Sequence, residues 1–366
     1  MNRMTKTIFI ITMTAALVFG FLHLFIPGVN FERLHIFLFN LCSGGSLILI
    51  YSEGKKSFSP KTASFYLLSV LYALFAFFQM YIYAIVIAVI LALLVETIRS
   101  ARFSFFPRNF FSGTAPVGAK FHQASLLCLS LGLALSALVI GNHEYWRVFS
   151  SPKLTLDVFF LGFSFPVSLI TMSLMFGMME DTGGRRTRIL QEYGFWAVNL
   201  GVITFFIFII LELAMAELAI ALLLFITVVI IFVLYLKLGA PRQSKAFLTS
   251  GAAFLVMTAV TGIAYIILYA VIPQPPGGKF LLKLHALISL YGWNLNGLAV
   301  ISRHDDFPIK LNSNRIILMH WIIVVVLAPL GFYFRALSII AVAAYAVFLY
   351  LVFFTERKAE NHPIPM

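Results

Sequence analysis

FERLHIFLFNLCSGGSLILIYSEGKK, residues 31–56, decides what kind of protein this is. Its middle is an apolar run long enough to cross hydrocarbon as a helix. It closes on Lys55 and Lys56, the basic flank that holds a segment to one side of a membrane. Inside the run stand an imidazole, His35, an amide, Asn40, and the glycine pair Gly44 and Gly45. Polar and ionisable groups are costly in lipid and turn toward a protein interior or a cavity. The stretch therefore reads as a membrane span with something buried behind it.

The rest of the chain follows the same pattern. Of 366 residues, 61% are hydrophobic and only 11% charged, too few polar groups to cover a water-facing surface. Twelve apolar runs occur, at about 8–27, 31–51, 63–79, 80–98, 120–141, 155–179, 189–211, 214–237, 246–272, 280–301, 315–333 and 335–355. Each approaches the roughly 20 residues that a helix needs to span a bilayer. The expected fold is all-α, a polytopic membrane protein with one transmembrane domain over residues 1–366. Between residues 63 and 98 only Gln79 interrupts the apolar run, so that stretch reads either as two spans or as one long helix.

Charge gives the orientation. With the N-terminus in the cytoplasm, most of the 26 Lys and Arg fall on the inner side. Among them are Lys61, Arg99, Arg102, Arg108, Arg185, Arg186 and Arg188. This positive-inside pattern places both termini in the cytoplasm and the chain in a bacterial-type inner (plasma) membrane. The net charge of +12 is scattered over many short segments and forms no stripe, which excludes a nucleic-acid partner and leaves the lipid bilayer. Cys42 and Cys128 both lie within spans and read as small buried hydrophobes. The first span has no small-residue cleavage site after it and reads as a retained helix.

His35 and His285 match each other. Each lies within the first turn or two of a span running inward, the second and the tenth, so both rings sit about 6–8 Å below the outer helix ends. Two imidazoles at one depth on facing helices can clamp a low-spin haem iron from both sides. Gly44 and Gly45, with Gly292 and Gly297 on the partner span, would give the macrocycle room. Toward the inner side, His122 and His320 follow helix starts and could line a second site, or simply rest near the membrane surface.

The run from Arg33 to Gly45, RLHIFLFNLCSGG, resembles helix two of the haem–copper oxidase catalytic subunit, closest to the cbb3-type oxidases and nitric oxide reductases. The resemblance implies twelve helices with both termini inside, and haem ligation by His35 and, on helix ten, by His285. The family's His-x-His on that helix reads Lys283-Leu284-His285 here, so the position implied for the high-spin haem ligand is lysine. Arg335 occupies the loop where the family's arginine meets haem propionates, with Lys283 nearby. The family holds copper on helices six and seven, yet residues 155–211 contain no histidine. The expectation is one low-spin haem b without copper and without oxygen reduction, serving electron transfer or redox sensing with a cytochrome or quinone as redox partner.

The alternative is a secondary transporter of a small solute or ion. GMMEDTGGRR, Gly177 to Arg186, is similar to the loop motif of major-facilitator carriers, but has Thr182 where they place an arginine, and follows span six. Glu212 and Glu217 bracket the turn between spans seven and eight and would be its proton or cation entry. Asp157 marks a helix start, Gln191, Glu192 and Asn199 line span seven without an evident partner, and His304-Asp305-Asp306 falls in an inner turn.

Overall fold

An apolar segment in a bilayer has to satisfy every backbone N–H and C=O internally, and a helix does so within one segment. The computed structural model describes residues 1–29, 31–149, 153–154, 158–179, 184–240, 244–272, 278–303 and 314–355. Asp157, Asp181, Thr182, His304, Asp305 and Asp306 lie outside the described residues. Among the described residues, twelve helices are long and apolar enough to cross a membrane: α1 (Arg3–Leu22), α2 (Glu32–Ser52), α3 (Pro60–Phe77), α4 (Tyr81–Arg102), α5 (Val117–Trp146), α6 (Phe160–Gly177), α7 (Arg185–Ile210), α8 (Ala214–Leu238), α9 (Lys245–Ala270), α10 (Gly278–Ser302), α11 (Asn314–Gly331) and α12 (Arg335–Phe354). The chain is a multi-pass membrane protein.

Local chemistry sets several of these boundaries. Asn2 caps α1 through its side chain, which accepts from the Thr5 N–H. Ser59 and Thr62 form a reciprocal capping box at the start of α3, with Pro60 at the first helical position. The ambiguous stretch from residue 63 to 98 resolves into two helices. The break falls at Gln79, whose φ of 61° is a left-handed turn conformation that a continuing helix cannot hold.

The helices differ sharply in burial. Of the most apolar window of each, 83% is buried in α2, 78% in α6 and 78% in α10, against 22% in α7 and 28% in α8. These three, each the second of a run of four, form the hub around which the others pack. Gly44 of α2 lies beside Val167 of α6 and Leu298 of α10, while Gly297 of α10 is closed against Thr171 of α6. Polar bonds tie the same helices: Trp293 Nε1 donates to Ser168 Oγ at 2.6 Å, and Asn294 Nδ2 to Ser164 Oγ at 3.0 Å.

Each hub helix also carries a π-wound segment: Phe37–Gly45 in α2, Val158–Ser164 leading into α6, and Ile288–Asn294 in α10. Two further ones are described, Asn142–Trp146 at the end of α5 and Ile322–Leu327 in α11. A π turn takes an extra residue, shifts the hydrogen-bond register and frequently marks a functional site.

At the end of the bundle away from His35, cations close the structure, with Arg99, Lys120 and Arg303 buried and Arg102 exposed. Arg102 Nη1 donates to the Ser52 carbonyl at 2.6 Å, capping α2. Arg303, 2% exposed, donates to the Val352, Phe353 and Thr355 carbonyls and caps α12. Arg99 binds Glu96 and the carbonyls of Ser104 and Phe105, fixing the connection from α4 to α5. Glu192, expected without a partner, receives the Lys120 ammonium on both oxygens at 2.7 and 2.8 Å. The two residues are 72 positions apart, so nothing local in the sequence announces the pair.

Helices α5 and α6 approach closely where a Cβ placed on Gly132 would overlap the Gly162 backbone. Backbone cannot yield as a flexible side chain can. Gly132→Ala should therefore cost about 1–3 kcal/mol, read as a lower unfolding midpoint in detergent, whereas Gly113→Ala, with open space around it, should leave the midpoint unchanged.

Candidate functional site

The site is built where α2 and α10 begin, beside the ends of α1 and α9. His35 stands half-buried on α2 with its Nδ1 2.8 Å from the Ala16 carbonyl of α1. The ring lies over Gly20, where an added Cβ would come within 2.7 Å of that same nitrogen. His285 repeats the arrangement on α10. Its Nδ1 is 2.9 Å from the Thr258 carbonyl of α9, and its ring lies over Gly262, at 3.1 Å from a Cβ built there. In both cases the carbonyl belongs to the residue four before the glycine, so one construction is used twice: a carbonyl to hold the ring and a missing side chain to admit it.

A carbonyl oxygen only accepts, so Nδ1 must carry the hydrogen in both rings. Each imidazole then keeps its lone pair on Nε2. This is the tautomer of a metal-ligating histidine whose second nitrogen is held by a backbone carbonyl.

A hydroxyl accompanies each carbonyl. Tyr291 OH is 3.0 Å from His35 Nδ1, and Thr261 Oγ1 is 3.3 Å from His285 Nδ1. Tyr291 belongs to α10, so its side chain joins the two hub helices at the site. Its ring packs against Phe39 and Tyr345, with centroids 4.9 and 5.1 Å away.

Two cations stand at the same end. Lys283 Nζ lies 4.4 Å above the Phe332 ring, and the Arg335 guanidinium lies 5.8 Å from the Phe25 ring. Both are exposed, and neither has a carboxylate partner among the described residues. His23 stacks on Phe332 from the end of α1, with its Nδ1 3.0 Å from the Gly20 carbonyl.

Gly44 and Gly45 do not open a space. The volume beside Gly44 is taken by Val167, 2.7 Å from a built Cβ, and that beside Gly45 by Phe65 at 3.0 Å. Gly292 meets Phe254, and Gly297 meets Thr171. These glycines let the hub helices close on their neighbours. The glycines that admit the imidazoles are Gly20 and Gly262, on helices the sequence reading did not connect to the histidines.

His122 and His320 are packed in the interior. His122 Nε2 donates to Ser52 Oγ at 2.7 Å, since the Ser52 hydrogen goes to the Ile48 carbonyl, and its ring stacks on Tyr51. His320 is fully buried; its Nε2 donates to the Tyr291 carbonyl at 2.6 Å, and its ring is held against Phe348 and Phe254. The His320 Nδ1 has no partner among the described residues.

Glu212 sits in the turn between α7 and α8 with φ 57° and forms a 3.3 Å pair with Lys153. Glu217 occupies the first turn of α8, where a carboxylate meets the helix dipole favourably. A cavity of about 100 Å³ opens between α2 and α5, lined by Arg33, Tyr81, His143, Glu144, Tyr72 and Ser136 among others. Its polar groups are already partnered, Tyr72 OH with Ser136 Oγ and His143 with Glu144, both at 2.7 Å. Cys42 is buried and Cys128 half-buried. Among the described residues, no three His, Cys, Asp or Glu side chains converge into a metal cage.

Comparison with protein-family models, with curated proteins and with solved structures finds no match.

Burial orders the histidines by reactivity. Diethyl pyrocarbonate should modify His143, whose side chain is 69% exposed, well before His122 and His320, with site occupancy read by mass spectrometry. Early labelling of His320 in folded protein would show that its ring is not packed as described.

Proposed function

We propose that this chain is a membrane b-type haem protein, with His35 and His285 as axial ligands of one low-spin haem and with no copper. The observation that carries this reading is the pair of imidazoles held at Nδ1 by the Ala16 and Thr258 carbonyls, each over a glycine, each with its lone pair on Nε2. Such rings are oriented and poised as donors before any iron arrives, so the donor set fits the group.

Lys283 and Arg335 support the same reading. Two cations without carboxylate partners among the described residues, at the end of the bundle where the histidines lie, are charge-matched to a pair of propionates. The resemblance of residues 33–45 to the haem–copper oxidase subunit agrees with these positions. The lack of histidine between residues 155 and 211 speaks against a copper site like that of the family. Held by His35 and His285, haem would supply one-electron chemistry, which suits electron transfer or redox sensing.

The protein's own part is to hold both rings in one tautomer, to neutralise the carboxylates, and to keep the site in a low-dielectric bundle. The charge asymmetry of the loops supports an orientation with the termini in the cytoplasm and the histidine end outward, where a cytochrome or a membrane quinone would be the partner.

A dithionite-reduced minus oxidised spectrum of detergent-purified protein tests this directly. The expected outcome is a b-type α-band in the parent protein that is lost in both His35→Ala and His285→Ala. A colourless preparation from haem-replete cells overturns the reading.

A further inference from the structure

The connection between α4 and α5, residues 103–116, reads FSFFPRNFFSGTAP: five phenylalanines, one arginine and no acidic residue. Two of its rings turn inward. Phe103 packs on His122 with centroids 5.4 Å apart, and Phe110 on Phe195 at 5.2 Å. Three turn outward: Phe105 is 77% exposed, Phe106 63% and Phe111 72%.

The segment is nonetheless firmly held. Arg99 donates to the Ser104 carbonyl at 3.2 Å and the Phe105 carbonyl at 2.8 Å, and its guanidinium lies 5.8 Å from the Phe105 ring. Buried Lys120 donates to the Phe110 carbonyl at 3.2 Å, and buried Gln123 to that of Ser104 at 3.4 Å. The Ser104 hydroxyl turns back to the Phe106 carbonyl. Three polar side chains from inside the bundle thus fix a backbone whose outer rings they do not cover. An apolar surface held in place and left open marks a contact with something beyond the chain.

Depth says what that is. The 22 residues of α4 rise about 33 Å, slightly more than the roughly 30 Å of hydrocarbon in a bilayer. Arg102 at its end stands at the edge of the hydrocarbon, and Phe105 follows within about 10 Å of chain. Rings at that level meet lipid. Charge says which lipid. Arg102 and Arg108 are exposed, as are Lys55, Lys61, Arg185, Arg186 and Arg188 at the same end. The described carboxylates of that end are already engaged, Glu53 by Ser59, Glu96 by Arg99 and Glu192 by Lys120.

We propose that residues 103–116 are an interfacial anchor that seats Phe105, Phe106 and Phe111 in the leaflet on the basic side of the bundle and takes anionic phospholipid through Arg108 and Arg102. The rings enter between the acyl chains just under the headgroups, and the guanidinium groups meet the lipid phosphates. The anchor goes beyond the haem reading and does not depend on it. Its grip reaches into the bundle, because the side chains that hold the segment, Arg99 and Lys120, also pair with Glu96 of α4 and Glu192 of α7.

Full-length protein in nanodiscs of phosphatidylcholine and phosphatidylglycerol in equal parts tests this. Phe106→Trp places an indole at an outward position, its emission read as the difference from the parent. Bromine on the acyl chains should quench that emission, and iodide in the water should not. Phe111→Trp, at another outward position, should repeat the result. Bromine carried on phosphatidylglycerol alone should quench more than bromine on phosphatidylcholine alone. Arg108→Gln in the Phe106→Trp background should lower that preference about fivefold. Quenching by iodide without quenching by bromine puts the segment in water and overturns the proposal. Protection from both quenchers shows a protein surface over it, such as a second copy of this chain, and overturns it as well. Equal quenching by the two brominated lipids overturns the assignment to anionic phospholipid.

Discussion

A backbone carbonyl inside a membrane bundle offers a lone pair and nothing else, and the candidate site depends on that one-sidedness. Water would let an imidazole choose either tautomer at little cost. Against Ala16 and Thr258 the choice is made by the scaffold, because the opposite tautomer would set two lone pairs facing each other. Glycine at position 20 and at position 262 is the steric half of the same constraint, since any side chain there would push the ring off its carbonyl.

The hub serves this arrangement from below. Close packing of α2, α6 and α10 through Gly44 and Gly297 brings the helix that carries His35 against the helix that carries Tyr291. The π winding of Ile288–Asn294 changes the bonding register around Tyr291, whose carbonyl takes the His320 N–H. One residue thus meets His35 through its hydroxyl and His320 through its backbone, and the core of α10 is tied to both α2 and α11. In hydrocarbon such polar ties are worth having, since the alternative is an unsatisfied group.

Much of the architecture was legible in the residues. Apolar length gave the spans. Gln79 left the stretch from 63 to 98 open between two spans and one helix, because a lone amide can sit in a turn or face a protein interior. Only its φ of 61° shows the break between α3 and α4. His35 and His285 stood out as costly groups in apolar surroundings. Their surroundings did not, because periodicity within a helix says which face is buried and not which helix lies against it. Gly44 and Gly45 show the limit: a glycine pair signals close approach, yet only the neighbours reveal that Val167 and Phe65 do the approaching. Lys120 and Glu192 show it again, each readable as an isolated charge until α5 and α7 are side by side. The three π-wound hub helices, which recur every fourth span, leave no mark in apolar length either, because a π turn and an α turn of the same residues are equally apolar.

Those wide turns have a mechanical consequence. Each surplus residue resets the angular phase of its helix, so the face of α10 that presents His285 and the face that presents Gly297 answer to different neighbours and need not share one spiral. Removing a single residue between positions 288 and 294 would swing one end by about 100° relative to the other, turning the imidazole away from α9 while the glycine kept its seat. The π segment is the gearing that allows the end of α10 that carries its histidine to be adjusted without unlocking the three-helix centre.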